Sequence, residues 1–120
     1  MMSEAVAQGR RTVRVGIVDS GVPTLASARV AGSAAFVLED EVCVQRAATT
    51  DVLGHGSSVA ACVLVQAPEA ELWCAQVFHQ RLTTTALQVA QAIDWLVAQQ
   101  VEVINLSLGL RNDRAVLAAA

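Results

Sequence analysis

The sequence lacks the features that mark disulfide-bonded, zinc-binding and membrane-spanning proteins. Its three cysteines (Cys43, Cys62 and Cys74) are an odd number with no CxxC pair, so neither a disulfide framework nor a zinc site is expected. The longest strictly apolar run covers only residues 59–65, whereas a membrane helix needs about 20 such residues. We therefore expect reduced thiols in or near the core and no transmembrane segment.

Clustered positive charge and a secretion signal are also absent. The net charge of −3 leaves no basic surface of the kind that nucleic acids require. Residues 1–11 end in two arginines and contain no hydrophobic stretch, which predicts a cytoplasmic protein. Since no repeat, linker or low-complexity segment interrupts the chain, we expect an N-terminal extension over 1–11 and part of a single domain over 12–120.

Apolar residues, by contrast, are abundant. They make up 54% of the 120 residues, and charged residues make up only 16%. A soluble chain of this size and composition has few polar residues with which to cover its surface. Part of the apolar surface is therefore expected to contact something else.

The pattern of strands and helices predicts an α/β fold. Apolar, β-branched stretches predict strands over residues 12–18, 34–38, 42–45, 71–78 and 101–108. One helix is expected to begin near Gly54 and end before Pro68, and because it is apolar all round it is expected to be buried. A second, amphipathic helix extends from threonines 83–85 to about residue 100. This alternation predicts βαβ crossovers and a three-layer, doubly wound, mostly parallel sheet.

Asp19 and His55 are the candidate catalytic residues. Asp19 ends the first strand, and ligand sites in α/β sheets lie at the carboxyl ends of the strands. By itself it is weak evidence, because Asp-Ser-Gly is also a common turn sequence. His55 stands between two glycines at the start of a helix, where other groups can approach closely. We expect the two side chains to lie within hydrogen-bond reach, whereas His79 is interpreted as an ordinary surface or core residue.

Three motifs, in the same order, resemble those of the subtilisin family (S8) of serine proteases. Residues 16–22 (GIVDSGV) resemble the motif around the catalytic aspartate. Residues 51–60 (DVLGHGSSVA) resemble the catalytic-histidine motif D-x-x-G-H-G-T-H-V-A-G, with Ser57 and Ser58 in place of Thr and the second His. Residues 103–109 (VINLSLG) resemble the substrate-binding strand. The similarity covers residues 12–120 and implies a subtilisin-like fold.

The resemblance implies a serine endopeptidase with an Asp-His-Ser triad. His55 would act as general base and then general acid, and Asp19 would orient its ring and stabilise the cation. Ser107, Leu108 and Gly109 would bind an extended peptide or protein substrate as an added strand. The family's nucleophile motif, G-T-S-x-[AP], does not occur before Ala120. The chain is therefore expected to be an incomplete peptidase domain, inactive alone, whose partner is a C-terminal half carrying the serine.

Neither a cofactor nor a metal is expected. The family's calcium loop has no counterpart between the histidine helix and the next strand, and the acidic residues 39–41 lack the spacing of calcium ligands. The resemblance further suggests a dedicated peptide-maturation protease.

The sequence also admits two other classes of function. One alternative is a catalytically dead module that binds an extended peptide along the Ser107 strand. A phosphate-handling domain, such as a receiver domain or an actin-like ATPase, fits less well. A receiver domain, for example, needs an acidic pair after the first strand and a further aspartate after the third.

Overall fold

The structure is a computed structural model that describes residues 12–106. Neither helix in this part of the chain is long and apolar enough to cross a membrane. Its elements are β1 (Arg14–Asp19), β2 (Arg29–Glu39), β3 (Val42–Arg46), α1 (His55–Gln66), β4 (Glu71–Gln76), α2 (Ala86–Ala98) and β5 (Val103–Leu106).

The five strands form one sheet in the order β3-β2-β4-β1-β5. All neighbouring pairs are parallel except β2 and β3, which are antiparallel. Asp19 at the end of β1 lies beside Gln76 at the end of β4, and Val18 lies beside Leu106 at the end of β5. The carboxyl ends of three parallel strands therefore meet at one edge of the sheet.

The two helices cover opposite faces of this sheet. Val18 of β1 packs in a cluster with Phe36 and with Leu96 of α2. Its neighbour Ile17 points to the other face and packs in a cluster that contains Ala60 of α1. This arrangement is the three-layer, doubly wound fold that the sequence predicted.

The β2–β3 hairpin differs from its prediction in length. The acidic turn is present, and its two central residues, Asp40 and Glu41, have φ of 54° and 65°, as tight two-residue hairpin turns require. Strand β2, however, begins at Arg29 rather than at residue 34, because its first residues pair with β4 from Glu71 onward. That pairing brings in alternately exposed residues that local hydrophobicity did not mark as a strand.

Helix α1 is less buried than its all-apolar sequence predicted. Only Gly56 and Ala60 are buried, whereas Cys62 is exposed and Val65 is 77% exposed. Within the described residues, only one side of α1 packs against the sheet, in the cluster around Ile17. The expectation that all three cysteines lie in or near the core is therefore wrong for Cys62, although Cys74 is buried and Cys43 half-buried.

Candidate active site

Asp19 occupies a buried position at the junction of β1 and β4. Its side chain is 1% exposed. Its carbonyl oxygen accepts hydrogen bonds from the backbone N–H groups of Val77 and Phe78, at 2.9 and 3.2 Å. The aspartate is therefore held by the sheet itself, and its carboxylate points from the carboxyl edge of the strands toward the start of α1.

His55 is the first residue of α1 and meets this carboxylate. Its Nδ1 lies 2.8 Å from Oδ1 and 3.0 Å from Oδ2 of Asp19. The ring is 38% exposed, so the pair is dry on the Asp19 side and open on the other. An ionised carboxylate can only accept a hydrogen bond, so in this contact the Nδ1–H group of the ring is the donor and Asp19 is the acceptor. The contact expected from the sequence is present.

Two glycines allow α1 to begin this close to β1. Gly54 has φ of 84°, a left-handed conformation that a residue with a side chain rarely adopts. A Cβ on Gly56 would lie 3.1 Å from Oγ of Ser20 and 3.4 Å from Cβ of Asp19. Gly54 thus supplies the left-handed turn before His55, and Gly56 leaves room for the end of β1.

The thiol of Cys74, on the strand beside β1, is not poised as a nucleophile. Cys74 is buried on β4, and burial, together with the negative charge of Asp19, raises its pKa to about 12. It therefore stays protonated at neutral pH, and a protonated thiol is a poor nucleophile.

The serine hydroxyl groups near His55 are not placed to act on its ring. Some are hydrogen-bonded to other residues, and others belong to α1 itself, next to His55 in sequence. Ser57 Oγ donates to Asp51 at 2.7 Å and accepts from the N–H of Thr24 at 3.0 Å. Ser58 lies on the exposed side of α1. Within residues 12–106, no serine or threonine hydroxyl is hydrogen-bonded to the His55 ring. The same part of the chain contains no cluster of three His, Cys, Asp or Glu side chains that could hold a metal ion.

An apolar groove of about 550 Å³ adjoins the open side of His55. It extends between α1 and strands β1 and β5, and we call it the α1–β5 groove. Its apolar lining includes Val59 and Val63 of α1, Val15 of β1, and Val103 and Ile104 of β5, and its other lining residues include His55, Ser58, Cys62, Gln66 and Asn105. Exposed apolar surface of this kind is typical of sites that bind another polypeptide segment.

The expected substrate-binding residues Ser107, Leu108 and Gly109 lie outside the described residues. The described part of their strand, β5, is parallel to β1 and in register with it from Val103 beside Val15 to Leu106 beside Val18. The carboxyl end of β5, at Leu106, therefore lies at the same edge of the sheet as Asp19.

Two residues with a central place in this region were not singled out from the sequence. Ser20 and Asp51 are both buried, and they connect the end of β1 to the start of α1 through hydrogen bonds. A local signal for Asp51 did exist: an aspartate two and three residues before Leu53 and Gly54 can accept from their backbone N–H groups, as it does here. Nothing local pointed to Ser20.

Comparison with known proteins places the chain in a family. The model of the subtilase family matches residues 10–118. The thermostable alkaline protease of Halalkalibacterium halodurans is 29% identical over 89% of this chain and 30% of that protein. Subtilisin Savinase of Lederbergia lenta is 31% identical over 90% of this chain and 41% of that protein.

A solved structure gives the same result. The crystal structure of a lanthipeptide protease matches with a TM-score of 0.66 and 25% identity, over 98% of this chain and 37% of that chain. The chain thus spans only about a third of the length of these relatives. With the fold, the ordered motifs and the match over most of its length in agreement, the chain belongs to the subtilase family of serine peptidases.

Proposed function

We propose that this chain supplies the aspartate and histidine of a subtilisin-like serine endopeptidase. The observation that carries the proposal is the 2.8 Å contact between His55 Nδ1 and buried Asp19, on a ring whose other side is open. The family membership and the named proteases among its relatives support it.

In the proposed mechanism, His55 moves the proton and Asp19 keeps the ring in place. Nε2 accepts the proton of a serine hydroxyl as that oxygen attacks the carbonyl carbon of the scissile peptide bond. It then donates the proton to the nitrogen of the leaving amine, so the acyl-enzyme forms as the peptide bond breaks. The Asp19 carboxylate holds the proton on Nδ1 and stabilises the imidazolium between these steps.

We propose further that the serine comes from polypeptide beyond this chain, seated in the α1–β5 groove. The groove is apolar and reaches His55, which supports it as a contact surface for that segment. The relatives, of which this chain spans about a third, have enough additional length to provide it. Ser107, Leu108 and Gly109 would bind the substrate as an added strand.

We also propose that the protease matures peptides and that it is located in the cytoplasm. The similarity to a lanthipeptide protease supports a peptide substrate.

The test is labelling with a fluorophosphonate, which reacts with an activated serine. The chain is incubated with the probe alone and with the C-terminal segment supplied in trans. We expect labelling only of the pair, and its loss in His55→Ala, because without the base the serine oxygen is not activated to attack phosphorus and displace fluoride. His79→Ala serves as the matched control and should label normally.

Two outcomes would contradict the proposal. One is labelling of the 120-residue chain by itself. The other is labelling of the pair that survives loss of His55. Binding of an extended peptide with no labelling under any condition would instead support the alternative of a module that binds peptides without cleaving them.

A further inference from the structure

A buried polar cluster joins the end of β1, which carries Asp19, to the start of α1, which carries His55. Ser20 is fully buried and Asp51 is 6% exposed. Ser20 directly follows Asp19 in the chain, and Gly56 directly follows His55. Neither Ser20 nor Asp51 is hydrogen-bonded to the His55 ring, whose contacts are to Asp19.

The Ser20 hydroxyl bridges the two backbones. Its Oγ donates to Oδ1 of Asp51 at 2.7 Å and accepts from the backbone N–H of Gly56 at 2.8 Å. The hydroxyl thus uses its single donor and one acceptor site with good geometry in a dry environment, where hydrogen bonds are strongest. Through this bridge, the residue after Asp19 holds the residue after His55.

Asp51 holds the rest of the first turn of α1. Its Oδ1 also accepts from the N–H groups of Leu53 and Gly54, at 3.1 and 2.9 Å. Its Oδ2 accepts from both the N–H and the Oγ–H of Ser57, at 2.8 and 2.7 Å. With the bond from Ser20, the carboxylate accepts five hydrogen bonds.

The cluster replaces a cap that the helix itself lacks. The N-cap residue of α1 is Gly54, which has no side chain to accept from the unpaired N–H groups of the first turn. Ser20 accepts from Gly56 and Asp51 from Ser57, so two of these N–H groups are paired with residues from before the helix. A carboxylate at this end also interacts favourably with the helix dipole.

We propose that Ser20 and Asp51 are positioning residues that set His55 at hydrogen-bond distance from Asp19. They fix the direction in which α1 leaves the sheet, and the ring is attached to its first residue. Without them, the start of α1 would be free to move by the fraction of an ångström that separates a hydrogen bond from a simple contact. This inference concerns geometry only and does not depend on the proposed peptidase activity.

The experiment is an NMR spectrum of the chain with ¹⁵N-labelled histidine, recorded for the wild type and for Ser20→Ala and Asp51→Asn. A proton held between Nδ1 and a carboxylate gives a downfield resonance, which exchange with water otherwise removes. We expect this His55 resonance in the wild type and its loss in both variants. His79, the only other histidine, lies 3.1 Å through Nε2 from the Phe36 carbonyl and should give the same signals throughout.

Two control variants make the same chemical changes at exposed positions. Ser33→Ala removes an exposed hydroxyl from β2, and Asp94→Asn neutralises an exposed carboxylate on α2. Both should keep the His55 resonance. Circular dichroism, recorded in parallel, should show that Ser20→Ala and Asp51→Asn retain their helices and sheet.

Several results would overturn the inference. It fails if the His55 resonance persists unchanged in both Ser20→Ala and Asp51→Asn, or is absent from the wild type. It also fails if both variants lose their secondary structure or their His79 signals together with that of His55, because the cluster would then support the fold as a whole rather than position one ring.

Discussion

Asp51 is a buried carboxylate whose pKa is lowered by the hydrogen bonds that it accepts. Burial acts to raise its pKa, but the bonds from Ser20, Ser57 and Gly54 outweigh burial and lower the pKa below its ordinary value. The ionised form is therefore favoured in the folded state. The stability that Asp51 contributes is fully present above the ordinary aspartate pKa of about 3.9 and is lost as the pH falls through the lower value of the folded state.

The Asp51→Asn variant should show this pH dependence directly. An amide nitrogen cannot accept, so we expect the free energy of unfolding at pH 7 to fall by about 2 kcal/mol. The difference from the wild type should shrink as the pH falls below the ordinary aspartate pKa of about 3.9 and through the lower pKa of the folded state, because the wild type then loses the same interactions by protonation. Urea unfolding at a series of pH values measures it, with Asp94→Asn as the control. A difference that stays constant with pH would contradict this account of the lowered pKa.

The two helices begin in different ways. Helix α2 starts with its own capping box: Thr85 Oγ1 accepts from the N–H of Gln88, and Gln88 Oε1 accepts from the N–H of Thr85. Helix α1 has Gly54 as its N-cap residue, which offers no side chain, and Ser20 and Asp51 accept from its first N–H groups instead. The start of α2 is therefore determined by its local sequence, whereas the start of α1 also depends on Ser20, which lies at the end of β1.

A Thr85→Ala substitution should weaken α2 without affecting the His55 site. Loss of the cap is expected to lower the free energy of unfolding by about 1 kcal/mol. Thr83→Ala, which changes an exposed threonine two residues earlier, is the matched control and should have a much smaller effect. Chemical unfolding followed by circular dichroism gives both values. Equal losses in the two variants would show that Thr85 is not the effective cap.

The described part of the molecule leaves one apolar side uncovered. Val103 and Leu106 of β5 are 55% and 37% exposed, and the α1–β5 groove lies beside them. Exposed apolar surface of this kind usually marks an interaction site. The chain spans 30% and 41% of two protease relatives, which fits the proposal that further polypeptide covers this side.

A charge placed in the groove should prevent the proposed pairing with the C-terminal segment. Cys62 is exposed and lines the groove, whereas Val65 on the same helix is 77% exposed and is not among the residues that line it. We expect Cys62→Glu to weaken binding of that segment at least about tenfold, because an unpaired charge would be buried, a cost above 1.4 kcal/mol. Val65→Glu should bind as the wild type does. Titration calorimetry measures both, and equal affinities would argue against the groove as the binding surface.

The amino-acid sequence by itself determined the features that depend on neighbours along the chain. Strand β1, the acidic turn between β2 and β3 and the cap of α2 follow from local patterns of hydrophobicity, turn and cap residues. The motifs around Asp19 and His55 led to the expectation that these side chains meet, and they do so at 2.8 Å. The catalytic roles of the two residues remain a proposal.

Only the tertiary structure decided which distant residues hold that contact in place. Ser20 and Asp51 are 31 positions apart in sequence, and their bond exists because β1 and the segment before α1 come together at one edge of the sheet. The exposure of Cys62 and Val65 could likewise not be predicted from the sequence. An all-apolar helix predicts burial, but it does not indicate which other segment covers the helix. Local patterns specify elements, whereas the partners of a buried polar group and the cover of an apolar face depend on contacts between residues far apart in the chain.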